Sequence, residues 1–127
     1  GYDLSGVNIP ARQVSGDYFD YIKVDDSHLG IAIADVSGKG IPASLIMAMA
    51  RSVLRSEAAG NFSAAEVLRR VNRQLYPDIK EDMFISMAYL VINATNGEVT
   101  LARAGHDAPL FCHAGSLDVE KLSPKGM

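Results

Sequence analysis

Short β-favouring runs separated by turn chemistry open the chain. Residues 2–9 and 17–25 carry Tyr, Phe, Ile and Val, and Asp25-Asp26-Ser27 supplies a turn before a third run at 28–36. A front sheet containing a hairpin is expected. The third run includes Leu29-Gly30-Ile31-Ala32-Ile33-Ala34, which is apolar without strict alternation, the pattern of a central strand covered on both faces. It breaks at Asp35-Val36-Ser37-Gly38-Lys39-Gly40.

The period then changes to that of a helix. Over 42–59, Leu45, Met49 and Val53 fall on one line and Ile46, Ala50 and Leu54 on the next, with Pro42 suited to a first turn and Gly60 to a stop. Arg51 and Arg55 mark the exposed side, and the rest of the circumference is apolar enough to need a broad surface such as a sheet face. Ser63-Ala64-Ala65-Glu66 reads as a capping box, and Val67, Leu68, Val71 and Leu75 form a stripe that Pro77 ends. Beyond a polar loop, 83–92 reads as a buried strand and Asn96-Gly97 as a hairpin turn into 98–104. Short strands are expected near 110–113 and 117–122. Strands, two adjacent helices and strands again predict an antiparallel α+β layered domain and argue against repeating βαβ units.

Composition narrows the class. A chain of 127 residues fits one domain, 1–127, and 48% hydrophobic with 21% charged residues is ordinary globular usage. No apolar run approaches the ~20 residues of a membrane helix, so no membrane insertion is expected. The formal charge of -3 and scattered basic residues give no stripe for a nucleic-acid backbone, and Arg69, Arg70 and Arg73 read as a solvated helix face. Cys112 stands alone and no signal-peptide pattern opens the chain, so the expected location is cytoplasmic. Both termini read as cut points inside a longer protein.

The candidate chemistry gathers at two acids. Asp17 follows Gly16 at the start of one strand, and Asp35 ends the neighbouring strand of the same hairpin. Two carboxylates ~4 Å apart repel by about 4 kcal/mol at an effective dielectric near 20, so a converging pair needs a cation, a shared proton or a basic partner. Oxygen ligands favour Mg²⁺, Mn²⁺ or Ca²⁺, and no Cys/His cluster suits zinc. The loop after Asp35 is not a Walker site, because Gly40 follows Lys39 where Ser or Thr is needed. An ordinary hairpin end explains the two acids equally well when they are taken alone.

Motif order decides between these readings. The segments Pro10-Ala11-Arg12-Gln13-Val14-Ser15-Gly16-Asp17-Tyr18-Phe19-Asp20, Asp35-Val36-Ser37-Gly38-Lys39-Gly40-Ile41-Pro42-Ala43, Asp82-Met83-Phe84 and Ala104-Gly105-His106-Asp107-Ala108-Pro109-Leu110 occur in that sequence. Together they resemble the bacterial serine phosphatases of the stage II sporulation protein E and sigma-B regulator type, a branch of the protein phosphatase 2C superfamily. The resemblance implies an antiparallel β-sandwich flanked by helices, here truncated at the C-terminus. It further implies hydrolysis of phosphoserine or phosphothreonine on a protein, by a water held between two Mn²⁺ or Mg²⁺ ions. Carried over by position, Asp17 would hold one metal, Asp35 would bridge both and the Val36 carbonyl would add a backbone ligand. Arg12 lies about where related phosphatases carry a phosphate-binding arginine, although a surface role fits it equally.

The family's later metal-binding aspartates fall beyond Met127, so the metal site is expected to be incomplete in this chain. The implied substrate is a phosphorylated signalling protein such as an anti-sigma-factor antagonist, with a regulatory domain or partner also in view. The competing reading is a non-catalytic regulatory module of the same fold. A phosphate-binding domain using only the loop after Asp35 is a third. Asp20 reads as a strand-surface carboxylate in preference to a support of the metal shell through water, His106 as a structural turn residue in preference to a general acid, and Met47, Met49, Met83 and Met87 as core filler.

Overall fold

The computed structural model describes residues 4–6, 17–37, 43–78, 84–115 and 118–123. Four strands form an antiparallel sheet in chain order: β1 (Asp17–Lys23), β2 (His28–Ser37), β3 (Phe84–Asn93) and β4 (Val99–Ala104). Between β2 and β3 come α1 (Ala43–Ala58) and α2 (Ala64–Leu75), followed by a 3-10 turn at Tyr76–Asp78. A separate two-stranded sheet pairs β5 (Leu110–Cys112) with β6 (Val119–Lys121). The α+β antiparallel class stands. Of the expected first strand, the described part, residues 4–6, has no regular structure.

The hairpin register follows from its turn. Asp25 Oδ1 accepts from the Ser27 amide at 2.8 Å, an Asx turn that also engages His28 Nδ1 at 2.8 Å. With the turn centred on Asp26, strands run back symmetrically, so that Lys23 pairs with Leu29 and, at the far end, Asp17 with Asp35.

Both helices lie on one face of the sheet. Gly30, Ala32, Ala34 and Val36 of β2 point towards them together with Ile22 of β1 and Met87, Tyr89 and Val91 of β3. Ala50, Leu54 and Ala58 of α1 are excluded from solvent in the same core cluster as these small β2 residues. The core line of α1 is Ile46, Ala50 and Leu54; on the other line Met49 and Val53 only pack against the core, and Leu45 is 55% exposed. In α2 the expected stripe of Val67, Leu68, Val71 and Leu75 is buried throughout.

β2 is central, as expected, but its second face is only partly covered: Leu29 and Ile31 are half-buried there. Ile33 is 51% exposed, and Phe19 and Tyr21 beside it are also open. The continuous apolar run therefore reflects an open apolar face as well as a buried one. Residues 4–6 cross that face at Phe19 and Tyr21, where a Cβ on Gly6 would lie 2.6 Å from the Phe19 ring.

The helix boundaries are chemical. Gly60 adopts φ +68 after α1, a left-handed conformation that favours glycine, and its amide donates to the Val24 carbonyl at 3.1 Å. Only half of the capping box forms. Ser63 Oγ accepts from the Glu66 amide at 3.2 Å, but the Glu66 carboxylate turns to Arg69 and Arg70, and the Ser63 amide donates to Asn61 Oδ1 at 3.1 Å. The guanidinium groups supply charge-assisted bonds that the neutral backbone amide cannot match.

Candidate functional site

The two aspartates singled out by sequence are direct cross-strand partners at one end of the sheet. Opposite residues on antiparallel strands share a face, with Cβ atoms about 4.5–5.5 Å apart. Asp17 and Asp35 both lie on the open face. Burial pushes the Asp35 carboxyl above its ordinary value, and the Asp17 carboxyl pushes it further by hydrogen bond and charge. The charge of His106 and a hydrogen bond from the Val36 amide pull in the opposite direction.

Val36 follows Asp35 at the end of β2 with its side chain buried in the core. That burial fixes the backbone on which Asp35 sits. Arg12, Lys39 and Asp82 lie outside the described residues.

Asp20 departs from its expected role as a strand-surface carboxylate. It lies three residues along β1 from Asp17, on the opposite face, and its side chain is only 11% exposed. Arg55 of α1 grips it through two guanidinium nitrogens, Nε at 2.7 Å and Nη2 at 2.5 Å, while the Tyr18 hydroxyl also donates to it and Arg51 Nε lies at 3.9 Å. Arg51 and Arg55 are thus the seam between α1 and β1. The cause is geometric, since a guanidinium fork matches a carboxylate in two parallel bonds.

Ser86 and Arg103, which the sequence did not single out, join His106 near the aspartate pair. Ser86 of β3 is the direct partner of Asp35, so Asp17, Asp35 and Ser86 form a row across three strands. Ser86 Oγ lies 3.0 Å from His106 Nδ1, which joins that row from the chain beyond β4. Arg103 Nη1 donates to the His106 carbonyl at 2.8 Å. Gly105, at φ +67, makes the turn that brings His106 inward, and a Cβ there would lie 2.7 Å from the Phe84 ring. The signal for this arrangement was the Ala104-Gly105-His106 motif, whose target strand no local pattern reveals.

The donor set suits a hard divalent cation. Mg²⁺ or Mn²⁺, both of which favour oxygen ligands, would offset the charge that Asp35 meets beside Asp17. The ligand set is partial, because among the described residues no group of three or more His, Cys, Asp or Glu converges. No helix among the described residues is long and apolar enough to cross a membrane.

The chain's solved structural neighbours place it among protein phosphatase 2C folds. It superposes on the PP2C phosphatase domain of SpoIIE from Bacillus subtilis with a TM-score of 0.71, at 14% identity, over 88% of this chain and 33% of that one. The sequence profile of the Stage II sporulation protein E (SpoIIE) family matches residues 25–127, and the chain belongs to that family. Among curated proteins it is 35% identical over 125 residues to the phosphoserine phosphatase RsbU of Bacillus subtilis, covering 98% of this chain and 37% of that protein. It is 26% identical over 105 residues to the phosphoserine phosphatase RsbP of the same organism, covering 80% of this chain and 26% of that protein. The solved RsbU and RsbW domains of a Mycobacterium tuberculosis protein match at a TM-score of 0.76 and 26% identity, over 91% of this chain and 32% of that one. The chain thus spans well under half the length of these relatives.

Proposed function

We propose that these residues are part of a metal-dependent protein serine/threonine phosphatase that hydrolyses phosphoserine or phosphothreonine on a bacterial signalling protein. The observation that carries this reading is the Asp17–Asp35 pair, register partners whose carboxyls raise the proton affinity of Asp35. Two named phosphoserine phosphatases among the similar proteins support the reaction class.

In this reading Asp17 and Asp35, with the Val36 carbonyl, hold Mn²⁺ or Mg²⁺, and Arg12 meets phosphoryl oxygens. Two such ions, when bound, lower the pKa of a shared water and offset phosphoryl charge. The chain's own part is to hold the acids in place: the β1–β2 ladder sets their spacing, and core burial of Val36 anchors the end of β2. The substrate class, a phosphorylated anti-sigma-factor antagonist, follows from the family resemblance alone.

Manganese titration tests the site. Asp17→Asn and Asp35→Asn should each weaken manganese binding at least tenfold, while metal-free Asp35→Asn should gain up to about 1 kcal/mol of stability by removing opposed like charges. Unchanged affinity in both variants would defeat the assignment. Metal binding in the full-length protein without hydrolysis of any phosphopeptide would favour the regulatory-module reading instead.

A further inference from the structure

The two aspartates are anchored by different means. Asp35 stands between Ala34 and Val36, whose side chains are both buried in the core, so apolar packing holds the end of β2 on either side of it. β1 has no such anchor at the Asp17 end. Among the described residues it is an edge strand paired with β2 alone, and its buried side chain, Ile22, lies at the other end of the strand. Between Asp17 and Ile22 the helix-facing side chains are Tyr18 and Asp20.

Those two are tied to α1 instead. Arg55 meets both carboxylate oxygens of Asp20, Nε with Oδ2 at 2.7 Å and Nη2 with Oδ1 at 2.5 Å, and the Tyr18 hydroxyl donates to Oδ2. The Asp20 side chain is 11% exposed, so these bonds form where water competes little. Burial and the bond to Asp20 push the Tyr18 pKa above its ordinary value, which keeps the hydroxyl a donor. A planar fork fixes the direction of a carboxylate as well as its distance, which the point charge of a lysine does not. Asp20 lies on the same short strand as Asp17, so holding it holds the strand where Asp17 stands. Side chains that converge on a ligand must be kept within about 0.5 Å of their working geometry, and an edge-strand end free to twist does not achieve that.

We propose that Arg55 is a positioning residue for the metal centre, clamping Asp20 to α1 so that the Asp17 end of β1 stays in register with Asp35. It acts through Asp20 and the β1 backbone, from the sheet face opposite Asp17. The inference rests on the reading of Asp17 and Asp35 as metal ligands given above.

The test is calorimetric titration of the full-length protein with manganese alone. Arg55→Lys keeps the charge but loses the fork, and should weaken manganese binding by about tenfold, the size of loss that follows when the support of a metal ligand is removed. Asp20→Asn should do the same, and the double variant should bind little more weakly than either single one, because both remove one tie. Amide hydrogen exchange of the metal-free protein should quicken in β1 in each variant and hold in β3 and β4. Val67→Ala, in the core of α2, controls for general destabilisation: it should lower the urea midpoint and leave manganese affinity unchanged. Unchanged affinity in Arg55→Lys alongside weakened binding in Asp17→Asn, additive losses in the double variant, or an equal loss in Val67→Ala would overturn the proposal. If the unaltered protein binds no manganese, or if Asp17→Asn and Asp35→Asn bind it as tightly as the unaltered protein, the reading of the site fails, and this inference with it.

Discussion

Tyr89 has the least comfortable chemistry of the described core. Its side chain is fully buried, its hydroxyl finds no hydrogen-bond partner, and burial pushes its pKa up to about 12. A Cβ on Gly30 would lie 2.4 Å from that hydroxyl, so Gly30 is the gap into which the phenol fits. Tyr89→Phe should be neutral or stabilise by up to about 2 kcal/mol, because it removes an unsatisfied buried group. Gly30→Ala should cost about 1 to 3 kcal/mol by overpacking, and Tyr89→Phe should recover part of that loss, a coupling that a urea-denaturation double-mutant cycle would measure. The sequence showed a glycine inside a strand, but nothing in it named the side chain that fills the space. The aspartate pair was more legible. Asp17 and Asp35 are each nine residues from Asp26, and the turn chemistry at 25–27 fixed the fold-back point.

Among elements, the tie between α1 and β1 carries the clearest electrostatic consequence. Burial pushes the Asp20 carboxyl up, but the Arg55 and Tyr18 hydrogen bonds and the charges of Arg55 and Arg51 outweigh it, so its net shift is downward. A depressed folded-state pKa stabilises the fold above the unfolded value, near 3.9, and that contribution is lost as pH falls through the folded value. Asp20→Asn should therefore cost about 1 to 3 kcal/mol at pH 7. The difference from the unaltered protein should shrink as the pH of the urea melts is lowered below about 4. An unchanged difference at low pH would show that Asp20 acts through packing alone. Periodicity put Arg51 and Arg55 on the polar side of α1, which is correct, but the polar rim of a helix lying on a sheet can still reach that sheet's acids.

The described residues build a two-layer unit, helices on sheet, whose other sheet face is apolar and partly open, with Ala88 and Ile92 buried on it. Phe19, Tyr21, Ile33 and Phe84 are all more than a third exposed, and Asp17 and Asp35 sit at the rim of the same face. Contiguous apolar surface of this kind binds hydrophobic dyes. The 127-residue chain alone should bind such a fluorescent dye, and joint replacement of Phe19 and Ile33 by Ser should reduce the signal several-fold with helical circular dichroism retained. A dye signal unchanged by the replacement would place the open apolar surface elsewhere.

The sequence by itself determined what is local. Helix stripes at 67–75, the glycine stops, the hairpin turn and, through that turn, the facing of Asp17 and Asp35 all depend on residues near one another in the chain, where period and turn chemistry act directly. Motif order added the family, which the match over 25–127 bears out. Tertiary structure alone decided what depends on distant partners. It chose the Ile46, Ala50 and Leu54 line as the core of α1, paired Asp20 with Arg55 across 35 positions and brought His106 to Ser86 across 20. Each of those outcomes rests on which surfaces meet after the chain collapses, and the hydrophobic effect that drives collapse is not directional enough for a linear pattern to specify the meeting.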